Sequence, residues 1–363
     1  MENYQNRSIW TTAQRTVEVV DQRYLPHQIV IVALTNTEEI YRAIREMWIR
    51  GAPLIGATAG FGYYFAVLEA QNQPDPEAYI KERYNYLNAA RPTAVNLAWA
   101  LERQQMADQE KDWERRLETA WQTALDIVEE DVAICHSMGR HGLELIEALA
   151  AGHTDRPIQI LTHCNAGRMA TVAWGTATAP IYLAHEAGIP VHVWVDETRP
   201  RNQGARITAW ELGERGIPHT VITDNTGGLL MQEGKVDMCI VGTDRTTYKG
   251  DVANKIGTYL KALAAYHNDV PFYVALPSTS LDWTIAEGKD IPIETRSERE
   301  VTHIWGWDSD TQSVKEVRLT PANSPGLNYG FDVTPAKFIT ALITERGVCE
   351  ANEAGIRALF PEK

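Results

Sequence analysis

Cysteine is scarce in this chain of 363 residues, with only Cys135, Cys164, Cys239 and Cys349 present. No two form a C-x-x-C pair. That excludes the common zinc spacing and a disulfide framework, and it fits a reducing cytosol. Basic residues are in deficit, with 34 Lys and Arg against 48 Asp and Glu and a formal net charge of -14. A duplex-binding protein needs a basic surface to displace counterions, so nucleic acid is excluded as a partner. No apolar run approaches the ~20 residues of a membrane helix. The start, Met1 to Arg7, has no apolar core and does not read as a signal peptide. A dinucleotide fingerprint is missing too. Gly60-Phe61-Gly62 lacks the third glycine and a preceding strand. His136 and His141 share no H-E-x-x-H pattern, which argues against a metal there.

The length points to two domains. The first, residues 1–150, reads as small and mainly helical with a minor antiparallel sheet. Thr16 to Val20 and Ile29 to Leu34 are rich in β-branched residues and flank the turn-like Leu25-Pro26-His27. Thr37 reads as a helix cap, for a helix running to about Trp48. Further helices are expected over 57–70, 76–88, 93–104 and 112–139. The turn-forming stretch Gly152 to Pro157 then changes the pattern. Residues 151–363 alternate apolar runs with segments of helical length. The runs are Ile158 to Leu161, Val191 to Val195, Thr220 to Ile222, Met238 to Val241 and Phe272 to Leu276. This is the pattern of a parallel, doubly wound, Rossmann-like α/β sheet.

Each apolar run ends in a polar cluster, and loops at the carboxyl ends of such strands converge on one crevice. That would gather Cys164, Asp196, Asp224 and Asp244. Cys164 lies in Thr162-His163-Cys164-Asn165-Ala166-Gly167, between a strand and a segment that reads as a helix, where a helix N-terminus would lower a thiol pKa. His163 and Cys164 are adjacent on an extended segment and so face opposite ways, which argues against a Cys–His dyad. Asp244, in Val241-Gly242-Thr243-Asp244-Arg245, suits either a cap or a buried general acid. Arg50-Gly51-Ala52-Pro53 reads as a helix stop or a phosphate grip, and Arg91-Pro92-Thr93 offers a second guanidinium. Thr198 to Arg206 carries Arg199, Arg201 and Arg206, which in so acidic a chain suggests an anion nearby. Asn254 and Lys255 precede a helical stretch and would lie near its N-terminus, a ready anion site.

Taken in order, Arg50-Gly51-Ala52-Pro53, Arg91-Pro92-Thr93, His163 to Gly167, Asp196 to Pro200, Asn202-Gln203-Gly204, Gly242 to Arg245, Asn254 to Thr258 and Phe331 to Pro335 resemble the methylthioribose-1-phosphate isomerases. The match runs from about residue 10 to residue 350. The resemblance implies aldose–ketose isomerisation of 5-methylthioribose 1-phosphate in methionine salvage, without metal or organic cofactor, by a cytoplasmic homodimer. It implies that Cys164 stabilises the transition state and that Asp244 donates a proton. It implies that Arg50, Gly51, Ala52, Arg91, Gln203, Asn254 and Lys255 bind substrate, chiefly its phosphate.

Two positions depart from the family pattern: Tyr329 stands where proline is common, and Arg168 is larger and more charged than expected. An Arg168 facing the pocket would alter the choice of sugar at C5, whereas a surface-facing Arg168 would not. Neighbouring readings are an isomerase of 5-deoxyribose 1-phosphate or of ribose 1,5-bisphosphate. The latter needs a second cationic pocket, which the sequence does not identify. A non-catalytic reading follows from the similar regulatory subunits of the translation-initiation exchange factor, although an interaction module has no chemical need for Cys164 together with Asp244.

Overall fold

The computed structural model describes residues 6–91, 95–153 and 155–363. Pro92, Thr93 and Thr154, which belong to two of the motifs above, lie outside them.

The first part opens with strands β1 (Ile9–Thr11), β2 (Val17–Val20) and β3 (Ile31–Leu34) in one antiparallel sheet, with Val17 opposite Leu34. Helices α1 (Thr37–Arg45), α2 (Ala52–Ala70), α3 (Pro76–Asn88), α4 (Val95–Ala107) and α5 (Trp113–Gly152) follow. The cap of α1 is Asn36, not Thr37; its side chain accepts the Glu39 N–H at 2.9 Å. The helix stops at Arg45, three residues before the expected end, and Met47 then takes a left-handed φ of 61°. Helix α2 starts five residues earlier than its apolar pattern suggested. It is buried on nearly every side, so no amphipathic stripe marks its first turn.

Helix α5 outruns its expected end at Gly139 by thirteen residues, continuing to Gly152. Its buried residues Ala120, Ala124, Ile127, Asp131, Cys135, Met138, Gly142 and Ile146 keep helical spacing throughout. Its early turns pack on α2. Its late turns pack on α6 (Thr178–Glu186), which covers the main sheet. Gly142 permits this: a Cβ there would stand 2.4 Å from Pro180 Cγ.

The main sheet contains β4 (Ile158–Thr162), β5 (Val191–Asp196), β6 (His219–Ile222), β7 (Met238–Val241), β10 (Phe272–Ala275), β15 (Ala341–Thr344) and β16 (Gly347–Cys349). The spatial order is β16-β15-β10-β7-β4-β5-β6, parallel except for the edge strand β16. Counted from β4, the six parallel strands run 3-2-1-4-5-6, the doubly wound order that binds ligands where the winding reverses. That reversal lies between β4 and β7. The central strands β4, β7 and β10 are buried on both faces. Ile158, Ile160 and Ile240 point to one core, and Leu161, Val241 and Phe272 to the other. Helices α7 (Ala209–Glu214), α8 (Thr226–Gln232) and α9 (Thr258–His267) belong to this part.

A second sheet was not anticipated. It joins β8 (Arg245–Thr247), β9 (Val252–Lys255), β11 (Leu281–Asp282) and β14 (Phe331–Thr334) in the order β11-β8-β9-β14. An antiparallel hairpin, β12 (His303–Asp308) with β13 (Ser313–Arg318), stands apart.

Candidate active site at the winding reversal

Cys164 follows β4 and Asp244 follows β7, so the two flank the reversal. Both line one pocket. So do Arg50, Gly51 and Ala52 at the start of α2, Arg91 after α3, Gln203 after β5, and Asn254 and Lys255 on β9. Residues separated by more than two hundred positions thus converge. The pocket's free volume is about 50 Å³, room for a few waters, so a phosphosugar must part its walls to enter.

The cations are buried and under-bonded. Arg50 donates through Nη2 to the Asn165 carbonyl at 2.9 Å and to Asn165 Oδ1 at 2.8 Å, while its Nε has no partner. Arg91 is 5% exposed, and neither Nε nor Nη1 finds an acceptor. Its carboxylate neighbour, Glu294, stays 3.8 Å away. Burial lowers the Arg91 pKa. The Lys255 ammonium donates to the Gly330 carbonyl at 2.9 Å and sits 4.4 Å from the Phe331 ring centre. Burial lowers its pKa, against the pull of Cys164 and Asp244. Unmet guanidinium donors facing one cavity are what an oxyanion satisfies.

Gly51 begins α2 instead of ending a helix. Its φ is 94°, and a Cβ there would lie 2.2 Å from the Ala170 carbonyl oxygen. The first turn of α2 therefore lines the pocket beside Arg50, where a helix N-terminus suits an anion. Asn254 and Lys255 are on strand β9, not at a helix N-terminus. The first N–H groups of the following helix are already taken, since Asp332 accepts from Gly257 at 2.7 Å and Tyr259 at 3.1 Å. It is the side chains of Asn254 and Lys255 that serve the pocket.

The Cys164 environment corrects another expectation. A single 3-10 turn, Arg168–Ala170, follows the loop, and α6 begins only at Thr178. The next helix along the chain, α6, therefore does not bring its N-terminus to the sulfur. Burial raises the thiol pKa, although Arg50 and Lys255 oppose it, so the thiol stays protonated near neutrality. Cys164 holds a left-handed φ of 69°. Its N–H donates to Thr198 Oγ1 at 2.9 Å, and its carbonyl accepts from Thr208 Oγ1 at 2.9 Å. Burial also raises the Asp244 carboxyl. Lys255, Arg91 and Arg50 pull it down, and Glu294 pushes it further up.

Asp196 and Asp224, expected in the crevice, do not line it. Asp196 is fully buried, 2.8 Å from His163 Nδ1 and 3.2 Å from the Lys261 ammonium. Asp224 accepts the N–H groups of Thr198 and Arg199, both at 2.7 Å. His163, Asp196 and Asp224 have ligand atoms close enough to hold a metal ion, but the Lys261 ammonium already supplies positive charge to that group. His163 forms no pair with Cys164. Its Nε2 donates to the Ile256 carbonyl at 2.9 Å.

A family model, the initiation factor 2 subunit family, matches residues 48–351. The methylthioribose-1-phosphate isomerase of Desulfatibacillum aliphaticivorans is 55% identical over 364 residues, covering 98% of this chain and 97% of its own. That of Paramagnetospirillum magneticum is 56% identical over 361 residues, covering 98% of each. The chain belongs to the methylthioribose-1-phosphate isomerase family. Among solved structures, the 5-methylthioribose 1-phosphate isomerase of Pyrococcus horikoshii superposes with a TM-score of 0.83 at 36% identity, covering 100% of this chain and 99% of its own. Translation initiation factor eIF-2B, subunit delta, from A. fulgidus gives a TM-score of 0.80 at 37% identity, covering 98% and 99%.

Within this isomerase family member, Arg168 is neither on the surface nor in the pocket wall. It is 4% exposed, stacked 5.6 Å from the Trp210 ring and drawn to Glu211. Tyr329 is half-exposed and bridges to Thr295, outside the pocket. Among the residues at or beside the site that were not singled out from sequence are Asn165 and Glu294. Asn165 orients Arg50, and its place beside Cys164 was the available signal. Glu294, on an irregular segment, carried none.

Proposed function

We propose that the chain isomerises 5-methylthioribose 1-phosphate to 5-methylthioribulose 1-phosphate in methionine salvage. The observation that carries this reading is one pocket in which a protonated thiol and a raised carboxyl face three buried cations. A phosphosugar asks for that combination: donors for the phosphate and an acid for the ring.

Phosphate on the anomeric oxygen prevents spontaneous ring opening. Arg50, Arg91, Lys255 and the α2 N-terminus hold the phosphate, with Gln203 and Asn254 bonding beside it. Asp244 gives its proton to the ring oxygen, and the bond from C1 to that oxygen breaks. The hydrogen on C2 then moves to C1. A thiol kept protonated by burial is a poor base for C2, which favours passage of that hydrogen with its electron pair. The O2 proton returns to Asp244 as the C2 carbonyl forms. Cys164 acts as a neutral, water-excluding wall whose polarisable sulfur sits beside the positive charge that develops at C1. With 2-deuterated substrate in ordinary water, the label stays on C1; its loss to solvent sinks this route.

Comparative kinetics test the substrate. Turnover of 5-methylthioribose 1-phosphate should exceed that of 5-deoxyribose 1-phosphate by the ~1–3 kcal/mol that a small apolar group contributes. Ribose 1,5-bisphosphate as the faster substrate would overturn the assignment. We also infer a homodimer in the cytoplasm. The exposed Leu229 and Leu260, on the adjacent helices α8 and α9, support a second copy as partner, and no helix of the described residues is long and apolar enough to cross a membrane. The interaction-module reading leaves Cys164 and Asp244 in one pocket without a role.

A further inference from the structure

The arginine-rich loop after β5 is not absorbed by the phosphosugar pocket. Only Gln203 of that loop reaches it. Arg199 donates to the backbone carbonyls of Pro200 and Val301, at 2.6 and 2.8 Å. Arg201 and Arg206 turn into a second cavity of about 340 Å³, which shares no lining residue with the first.

The charges of this cavity do not cancel. Each of its acids is already engaged. Glu46 accepts from Arg42 at 3.1 Å and from Arg23 at 3.4 Å. Glu300 accepts from Arg201 at 2.9 Å and from Arg296 at 2.8 Å. Glu316 accepts from Arg299 Nε at 2.8 Å. Arg206 has no such partner. Its Nε donates to the Leu25 carbonyl at 3.1 Å, and its Nη2 to the carbonyls of Arg23 and Leu25 at 2.6 and 2.9 Å. Burial, with Arg201 and Arg50 acting the same way, brings its pKa down to about 10. A part-buried guanidinium among other cations and without a carboxylate calls for an anion.

A second observation concerns Asn202. It lines the same cavity, is 8% exposed, and its Oδ1 meets no donor. An occupant that draws this oxygen into the cavity brings a hydroxyl or amine as well as negative charge. Trp305, half-exposed on the hairpin, offers a flat wall for a sugar face.

We propose that this cavity is an effector site for a small hydroxylated oxyanion of the sugar-phosphate kind. Asn202 directly precedes Gln203, and the charge of Arg201 is felt at Arg91. An occupant neutralises part of the positive field at the first pocket and loosens its hold on phosphate, a coupling that is reciprocal. The inference rests on the second cavity alone, so its failure leaves the isomerase reading standing, and the reverse.

The test is calorimetric titration of the full chain with ribose 5-phosphate, which has no 1-phosphate to isomerise. Wild type should bind two equivalents. Arg91→Met should keep one of them. Asn202→Asp is isosteric and tolerates the φ of 58° at this position. It sets a carboxylate against the anion and should weaken that remaining site at least tenfold. Arg206→Gln gives a second check, with melting curves beside it because Arg206 also anchors the loop at Arg23 to Leu25. A single equivalent that vanishes in Arg91→Met overturns the proposal. So does an absence of binding, or a second equivalent indifferent to both Asn202→Asp and Arg206→Gln.

Discussion

His163 ties two segments of the pocket wall together. It is the residue before Cys164, and its ring reaches the carbonyl of Ile256, the residue after Lys255. Asp196 fixes the other nitrogen. Gly257 makes room: its φ is 104°, and a Cβ would stand 3.0 Å from His163 Cε1. A buried bond behind the pocket therefore couples the Cys164 and Lys255 segments. His163→Gln keeps a donor but not the reach. It should lower kcat roughly 10²-fold with KM little changed, and should speed alkylation of Cys164 as its loop loosens. Equal losses in kcat and stability with no change in alkylation would make the residue merely structural. Asp131 shows burial acting elsewhere. Burial raises its carboxyl to about 6, partly opposed by the Val172 N–H and Cys135. A folded value above the unfolded one means the acid form is favoured in the fold. Its stability contribution is full below about pH 4 and is lost as pH rises through about 6. Asp131→Asn should thus gain on the order of 2–3 kcal/mol at pH 8, falling to about half at pH 5. A gain independent of pH contradicts this.

At the scale of elements, legibility followed pattern strength. Five of the six parallel strands announced themselves as continuous apolar runs, β15 went unread, and α3 was read end to end at Pro76–Asn88. The second sheet was not legible. Strand β8 has three residues and β11 two, and Asn254-Lys255 on β9 is polar where it serves the pocket. The start of α2 was misread because Gly51-Ala52-Pro53 has the composition of a helix stop, and only the close approach of Ala170 shows why glycine is needed. The last turns of α5 were missed because Gly139 and Gly142 look like breakers. They are contact points against α6. Gly142→Ala should therefore cost about 1–3 kcal/mol in a denaturant melt, although alanine is the better helix former by about 1 kcal/mol. A stabilised variant would refute the close packing of α5 on α6.

For the whole molecule, the decisive fact is the 3-2-1-4-5-6 order, which brings the ends of β4 and β7 side by side and lets the helical first part close over them with Arg50 and Arg91. Sequence supplied the candidates one by one, each with a bland alternative; the resemblance joined them, and the strand order explains why they meet. The central claim is that this one pocket performs the isomerisation through Cys164 and Asp244. The most direct measurement is turnover of 5-methylthioribose 1-phosphate by wild type, Cys164→Ser and Asp244→Asn, with melting curves for each. The account predicts an active wild type and losses of roughly 10²–10⁴-fold in both variants at unchanged melting temperature. An inactive wild type, or a variant within a few-fold of it, would contradict the account.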